Sequence, residues 1–224
     1  MNSDKKASKS RAPSAGNHAY LPKEVFENQL HGRWNQRCFR RRLRCEDKIA
    51  FMKTSQTNLA ETPKMYETEN DISKNSRVEL NALMNQRLAS AVDLQMQMKQ
   101  AHWNVKGPSF IGLHELFDKV DEAVEDYVDM IAERIVQLGG IAEGTVRVAA
   151  SRTRLVEYPL QIAEGMAHVE AVARALSTFG AEARTTIDEA NALDDADTAD
   201  LFTEISRGID KWLWFVEAHS QAAK

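Results

Sequence analysis

The sequence is poor in cysteine, glycine and proline. Its 224 residues include two cysteines, 10 glycines and 5 prolines. With only Cys38 and Cys45 available, a disulfide framework and a four-cysteine zinc site are both excluded. The scarcity of turn-forming residues argues against a β-rich fold, because each tight turn between strands usually needs glycine or proline. These deficits favour a mostly helical protein.

Long apolar runs are also missing. No segment approaches the roughly 20 consecutive apolar residues that span a bilayer. The polar, basic start of the chain does not resemble a secretory signal peptide, which needs an apolar segment. Hydrophobic residues make up 43% of the chain and charged residues 28%, which is an ordinary balance for a soluble globular protein. We therefore expect a cytoplasmic protein that contacts no membrane.

Charge is distributed unevenly along the chain. Residues 1–51 carry twelve Lys or Arg against five Asp or Glu, a net charge of +7, whereas residues 52–224 carry −11. A basic arm on an acidic body is typical of proteins that touch nucleic acid. Residues 1–51 are thus either a disordered arm that binds phosphate or sequence upstream of a true start at Met52. Both interpretations stay open.

The remaining chain divides into a flexible tail, residues 52–77, and a helical domain, residues 78–224. Apolar residues in the domain recur at the three-and-four spacing of amphipathic helices. The pattern predicts four long helices, at Val78–Asn104, Phe110–Leu138, Leu160–Ala192 and Thr198–Ala222. A short helix near Thr145–Ala150 is expected in the connection between the second and third, and Ser109 is the expected N-cap of the second. Two helical hairpins joined by one long crossover form an all-α, ferritin-like four-helix bundle.

Four side chains that can bind metal share one stripe of the second helix. At 100° per residue, His114, Asp118, Asp129 and Glu133 fall within about 100° of one another. Asp118 and Asp129 are nevertheless about 16 Å apart along the axis, at 1.5 Å per residue. One metal ion therefore cannot be held by both pairs of the same helix.

The two pairs can meet if the helix packs antiparallel on a two-fold copy of itself, crossing near Ala123 and Val124. His102, at the end of the first helix, can supply a second imidazole. Two histidines and three carboxylates suit iron(II), and zinc or manganese fit the same ligand set. The alternative is that acidic residues at helical spacing simply form a solvated face.

The stretch HWNVKGPSFIGLHELFDKVDEAVEDYVDMIAERIVQLGG, residues 102–140, closely resembles the signature of the Dps family. These are the DNA-binding proteins from starved cells, or miniferritins. Their pattern is HWN, a glycine-containing turn, HxxxD and then DxxxE, which corresponds here to His102–Asn104, His114–Asp118 and Asp129–Glu133. The resemblance covers roughly residues 75–220.

The resemblance implies a dodecameric shell with tetrahedral symmetry that oxidises Fe(II) and stores ferric mineral in its hollow core. It implies hydrogen peroxide as the preferred oxidant and O2 as a poorer one, so that DNA is protected from oxidative damage. It further implies di-iron ferroxidase centres shared across the two-fold interfaces. In each centre His102, His114 and Asp118 come from one subunit, and Asp129 and Glu133 come from its partner.

Two further assignments follow from the same resemblance, each with a competing interpretation. Trp103 would lie beside the metal site, or would simply pack beneath the Gly–Pro turn. Asp197, with Asp188 and Asp194 as weaker candidates, would line a negatively charged pore that admits Fe(II). These aspartates could equally be a solvated cluster at the start of the fourth helix.

The sequence is also compatible with two alternative functions. The protein could be a DNA-compacting nucleoid protein that uses the basic arm, residues 1–51, or a shell whose sites hold zinc or manganese. DNA binding should depend on the arm, since the tail at residues 52–77 has no net charge and the body is acidic.

Overall fold

The computed structural model describes residues 64–221, so the expectations for residues 1–51 and for the first part of the tail lie outside the described residues. Five helices are described, and their bounds are α1 Lys74–Asn104, α2 Phe110–Gln137, α3 Val146–Arg152, α4 Gly165–Ala192 and α5 Ala196–Gln221. No strand occurs among these residues. The predicted four-helix bundle with a short helix in the crossover is confirmed. In residues 64–221, no helix combines the length and apolarity that crossing a membrane requires.

The core lies between the four long helices. α1 packs against α2 and α4 against α5, while α1–α4 and α2–α5 contacts close the bundle. Phe117, Phe179 and Phe202 are fully buried, one on each of α2, α4 and α5, and Leu80 and Met84 join them from α1. Burying each such side chain contributes roughly 1.5–3 kcal/mol, so this shared core holds the helices at fixed positions.

The crossover from α2 to α4 runs along the outer side of α1. Asn85 donates through Nδ2 to the Ile141 carbonyl at 3.0 Å and accepts at Oδ1 from the Glu143 amide at 2.8 Å. Gln97 donates to the Val156 carbonyl at 3.1 Å. These side chains satisfy backbone groups that the loop would otherwise bury without partners. As a result α1 is buried on more of its circumference than an amphipathic surface helix.

The first three helices start and stop close to the expected positions. α1 begins four residues before Val78, because the Ser73 hydroxyl accepts a hydrogen bond from the Ser76 amide at 3.1 Å and caps the helix there. Ser109 precedes α2 as expected, but its side chain makes no capping hydrogen bond. The short crossover helix extends through Arg152, beyond the predicted end at Ala150.

The last two helices differ more from the expected bounds. α4 begins at Gly165 rather than Leu160, since residues 159–162 form a turn. α5 begins two residues before Thr198 because Asp195 caps it, accepting from the Thr198 amide at 3.0 Å. Both differences concern helix ends, where local hydrogen bonds decide the first residue.

Part of the predicted tail is attached to the bundle. The Tyr66 amide donates to the Gly139 carbonyl at 2.7 Å, and buried Arg77 donates to the Leu138 carbonyl at 3.2 Å. Gly139 has a φ of +80°, and a Cβ there would lie 2.5 Å from the Tyr66 carbonyl oxygen. Glycine is therefore required at the end of α2, where the chain turns beneath residues 64–77.

Candidate metal centre

His102 and His114 form a reciprocal pair where α1 ends and α2 begins. His102 Nδ1 lies 2.8 Å from the His114 carbonyl oxygen, and His114 Nδ1 lies 2.8 Å from the His102 carbonyl oxygen. The two rings stack, with centroids 3.7 Å apart and planes inclined by 20°. The Gly107–Pro108 turn between the helices makes this pairing possible, because it reverses the chain within a few residues.

The pairing fixes which nitrogen of each ring can bind a metal. A carbonyl oxygen only accepts, so both Nδ1 atoms carry a proton, and the neutral form of each ring presents an Nε2 lone pair. Metal-binding histidines commonly use this arrangement, in which one nitrogen donates to the protein and the other binds the ion. His102 and His114 can therefore each bind a metal ion through Nε2.

Asp118, the third predicted ligand of this group, lies beside the histidines and is already paired. Its Oδ1 is 3.7 Å from His102 Nδ1 and 2.8 Å from Lys99 Nζ. Lys99 also contacts Asp121 Oδ2 at 2.8 Å, and the Asp121 side chain is only 3% exposed. The ammonium group thus joins two carboxylates of α2 to α1.

The charges in this cluster shift the pKa values of its members. Hydrogen bonds to Asp118 and Asp121 raise the pKa of Lys99 above its ordinary value. The hydrogen bond from Lys99, followed by weaker attraction to His102, lowers the pKa of Asp118. Both groups are therefore ionised at neutral pH, and a cation that binds Asp118 must compete with Lys99.

Lys99 and Asp121 are site residues that the sequence analysis missed. The signal was present, since Lys99 lies one helical turn before His102 and Asp121 falls about 20° from His114 on the stripe of α2. Asp121 was overlooked because an acidic residue adjacent to several others gives no indication of burial. Its burial follows from packing against α1, which the sequence pattern does not specify.

Asp129 and Glu133 lie on the same helix as Asp118 but further along it, and both are exposed. Glu133 lines an open hollow of about 510 Å³. The other lining residues are Ala132, Val136, Gln137 and Ala142. Within residues 64–221 of one protomer, no three His, Cys, Asp or Glu side chains converge closely enough to hold a metal ion. A single protomer thus brings together His102, His114 and Asp118 at one end and leaves the second carboxylate pair apart from them.

Trp103 and the aspartates predicted for a pore are exposed. The Trp103 side chain is 65% exposed, so it does not pack beneath the turn within the protomer. Asp188, Asp194 and Asp197 are also exposed, and Asp197 Oδ2 lies 4.0 Å from Arg134 Nη2. The neighbouring Asp195 is different, because it is buried and has a structural role.

Asp195 connects the end of α2 to the start of α5. It accepts from Arg134 Nη2 at 2.8 and 3.1 Å as well as from Thr198. Desolvation by itself would raise the pKa of Asp195, but the hydrogen bonds from Thr198 and Arg134 outweigh it and lower the pKa. The acidic cluster at this end is therefore partly a helix cap.

The fold and the paired histidines define a ferritin-like protein, and comparisons with known proteins specify the family. The sequence profile of the ferritin-like domain matches residues 81–224. A DNA protection during starvation protein from Agrobacterium fabrum is 42% identical over 158 residues, covering 70% of this chain and 98% of that protein. The protein of the same name from Mycolicibacterium smegmatis is 33% identical over 141 residues, covering 63% and 76% respectively.

Solved structures agree with these relatives. DpsA14 from Streptomyces coelicolor superimposes with a TM-score of 0.67 and 31% sequence identity, covering 71% of this chain and 94% of that one. Mycobacterium smegmatis Dps in its tetragonal form gives a TM-score of 0.66 and 30% identity, covering 69% and 93%. The chain belongs to the Dps family of ferritin-like proteins.

Proposed function

We propose that this protein is a ferroxidase that oxidises Fe(II) with hydrogen peroxide and stores the ferric product in a dodecameric shell. The observation that carries the proposal is the reciprocal pairing of His102 and His114 beside Asp118. This pairing orients two imidazole Nε2 atoms before any metal binds. A mixed set of imidazole and carboxylate ligands suits Fe(II), which in this protein is the substrate.

Each centre is shared by two subunits. The three ligands at one end of α2 are too few to enclose a pair of iron ions, and Asp129 and Glu133 lie too far along the helix to complete the set in the same protomer. A two-fold copy of α2 packed antiparallel supplies the missing carboxylates, and the symmetry produces two equivalent centres. The apolar hollow beside Glu133 and the exposed side chains of Ile111 and Val136 give that contact an apolar surface.

The residues then have distinct roles in the reaction. His102, His114 and Asp118 bind Fe(II), and Asp129 and Glu133 of the partner subunit complete the ligand set. Lys99 retreats from Asp118 when Fe(II) binds. Two Fe(II) ions give two electrons to one peroxide molecule, which takes up two protons and leaves as two waters. Hydroxyl radical, the product of one-electron peroxide reduction, is thereby avoided.

The relatives are named DNA protection during starvation proteins, which supports a protective role. Protection by iron oxidation needs no contact with DNA. A second function, DNA compaction through the basic arm, is favoured only by the +7 charge of residues 1–51. Zinc or manganese in the same ligands is the remaining alternative, because the donor set selects weakly among these metals.

The test is anaerobic loading of the purified full-length protein with Fe(II), followed by hydrogen peroxide or air. Ferric absorbance and residual peroxide are recorded together. We expect rapid oxidation with about one peroxide consumed per two irons, slower oxidation in air, and loss of both in a double Asp118→Ala, Glu133→Ala variant. Oxidation no faster than in buffer would contradict the proposal and would make DNA compaction the favoured function.

A further inference from the structure

Tyr158 and His168 form a buried pair that the proposed iron chemistry does not use. Tyr158 Oη lies 2.6 Å from His168 Nδ1, and the two residues are 7% and 1% exposed. Tyr158 lies in the crossover between α3 and α4, and His168 lies in the first turn of α4. A phenol and an imidazole shielded from water at this distance form a strong hydrogen bond.

In the tautomer that carries its proton on Nε2, His168 accepts this hydrogen bond at Nδ1 and can act as a base for Tyr158. In a neutral imidazole one nitrogen accepts and the other carries the proton. Burial, and to a lesser extent the charge of Lys106, lowers the pKa of His168, and burial raises the pKa of Tyr158. Both rings are thus neutral at physiological pH. The ring proton then lies on Nε2, and a hydrogen bond to the Ile162 backbone opposes the lowering of the pKa of His168 without reversing it.

The pair lies at the end of the bundle that carries the paired histidines. The Lys106 amide, in the turn between α1 and α2, donates to the Ala163 carbonyl at 3.0 Å. A Cβ at Gly165 would lie 2.7 Å from Leu113 Cδ1, and Leu113 precedes His114 in α2. His168 is three residues beyond Gly165, about 4.5 Å along the axis of α4.

A buried phenol loses an electron more easily when its proton leaves in the same step, because a phenol radical cation is a much stronger acid than an imidazolium ion. The proton needs an acceptor that is already hydrogen-bonded to it. We propose that Tyr158 is a one-electron donor to the peroxide reaction at the candidate iron centre, with His168 positioned to take its proton. This inference rests on the proposed function.

The step matters when a centre holds a single Fe(II). Reduction of hydrogen peroxide to two waters needs two electrons and two protons, and one Fe(II) supplies only one electron. Tyr158 supplies the second electron, while its O–H proton moves to His168 Nδ1. The peroxide O–O bond breaks, two protons from solvent complete two waters, and Fe(II) becomes Fe(III). Tyr158 becomes a neutral phenoxyl radical and His168 an imidazolium, so no hydroxyl radical is released.

The first test uses the full-length protein loaded anaerobically with one Fe(II) per subunit, mixed with peroxide and frozen. Electron paramagnetic resonance should show a tyrosyl radical that is lost in Tyr158→Phe and kept in Tyr127→Phe. Tyr127 is the matched control because it is a half-buried tyrosine on α2 that is not part of the pair. A spin trap should capture severalfold more hydroxyl radical from Tyr158→Phe than from wild type. An unchanged radical in Tyr158→Phe would mean that the pair is a structural hydrogen bond only, and would overturn the inference.

The role of His168 is tested by His168→Gln, whose amide oxygen accepts the phenol hydrogen bond but does not take its proton. We expect the radical to form about tenfold more slowly, with Fe(II) oxidation at two irons per subunit unchanged. Radical formation at the wild-type rate would exclude proton transfer to His168. Melting curves of each variant check that the bundle is intact.

A second experiment omits iron and oxidises the protein with a photo-generated ruthenium(III) complex. The transient absorbance should report a radical on Tyr158, lost in Tyr158→Phe and shorter-lived in His168→Gln. This experiment distinguishes failure of the two proposals. If the shell does not oxidise Fe(II), the proposed function is wrong. If the photo-generated radical never forms on Tyr158, only the further inference is wrong.

Discussion

The Nδ1 atoms of His102 and His114 each lie 2.8 Å from the other residue's carbonyl oxygen. The two hydrogen bonds join the last turn of α1 to the first turn of α2. The orientation of both imidazoles is therefore set by the backbone and not by a bound ion. In the proposed ferroxidase this preorganisation lowers the cost of binding Fe(II), because the ligands need not be reoriented.

Replacement of one of these histidines should abolish most of the activity. We expect His114→Ala to lower the initial rate of Fe(II) oxidation by at least tenfold, about the loss seen when metal ligands are misplaced. His219→Ala is the matched control, because His219 is exposed on α5 and, within residues 64–221, its side chain bonds only the Phe215 carbonyl of its own helix. Ferric absorbance after peroxide addition is the measurement. A wild-type rate in His114→Ala would exclude His114 as a ligand.

Lys99 should oppose Fe(II) binding and stabilise the metal-free protein. In Lys99→Met, Asp118 is available to Fe(II), and we expect tighter Fe(II) binding by calorimetry under anaerobic conditions. The same change leaves buried Asp121 without its cation and should destabilise the subunit by ~1–3 kcal/mol, lowering the melting midpoint by several degrees. Unchanged affinity together with unchanged melting would contradict both roles of Lys99.

The stability that the Lys99–Asp118 pair contributes should depend on pH. The pKa of Asp118 is lowered from its ordinary 3.8. The stability that the Asp118 carboxylate contributes is therefore present above pH 3.8 and is lost as the pH falls through the lower pKa of the folded state. The pKa of Lys99 is raised, so its contribution is present below 10.5 and is lost only at higher pH. The melting difference between wild type and Asp118→Asn should be constant near neutrality and shrink in acid below 3.8. A difference that persists there would exclude the ion pair as its cause.

Replacing Asp195 and Asp197 one at a time should distinguish a structural role from a role in the pore. Asp195→Ala removes a helix cap and the partner of Arg134, and should cost ~2–4 kcal/mol of subunit stability. The Asp197 side chain is 89% exposed, so Asp197→Ala should leave the melting midpoint unchanged while slowing Fe(II) uptake if Asp197 lines the pore. Thermal melting and uptake kinetics of both variants are compared. A large loss of stability in Asp197→Ala would contradict this division.

DNA binding should depend on the basic arm. Because residues 52–224 carry a net charge of −11, we expect no retarded band for a protein starting at Met52 in a gel-shift at ~0.15 M salt. The full-length chain, with +7 in residues 1–51, should bind, and its binding should weaken steeply with added salt. Binding by the shorter protein would contradict this electrostatic account.

The helical spacing of apolar residues was enough to predict the bundle. Phe117, Phe179 and Phe202 all face the core because their positions follow the 3.6-residue period, which is a local property of sequence. Helix ends were less predictable. The start of α5 depends on Asp195, whose carboxylate is shared between a cap and Arg134 of another helix, and that long-range contact leaves no local pattern.

The positions of the candidate site residues could be predicted in part, but their charge balance could not. The protomer places His102 against His114 and Asp118 beside His102, while their role as metal ligands stays a prediction. The tautomers of the histidines, the pairing of Lys99 with Asp118 and the buried Tyr158–His168 pair all depend on which side chains meet between helices. Spacing along one helix carries no information about such contacts.

The sharing of each centre between two subunits is tested most directly by mixing two inactive variants. One variant carries His102→Ala and His114→Ala, and the other carries Asp129→Ala and Glu133→Ala. If centres are shared, shells reassembled from equal amounts should recover about one quarter of the wild-type oxidation rate, because about half of the interfaces then join unlike variants and each of these has one intact centre of its two. If both variants are inactive alone and the mixture recovers nothing, the centre does not lie between two-fold-related chains.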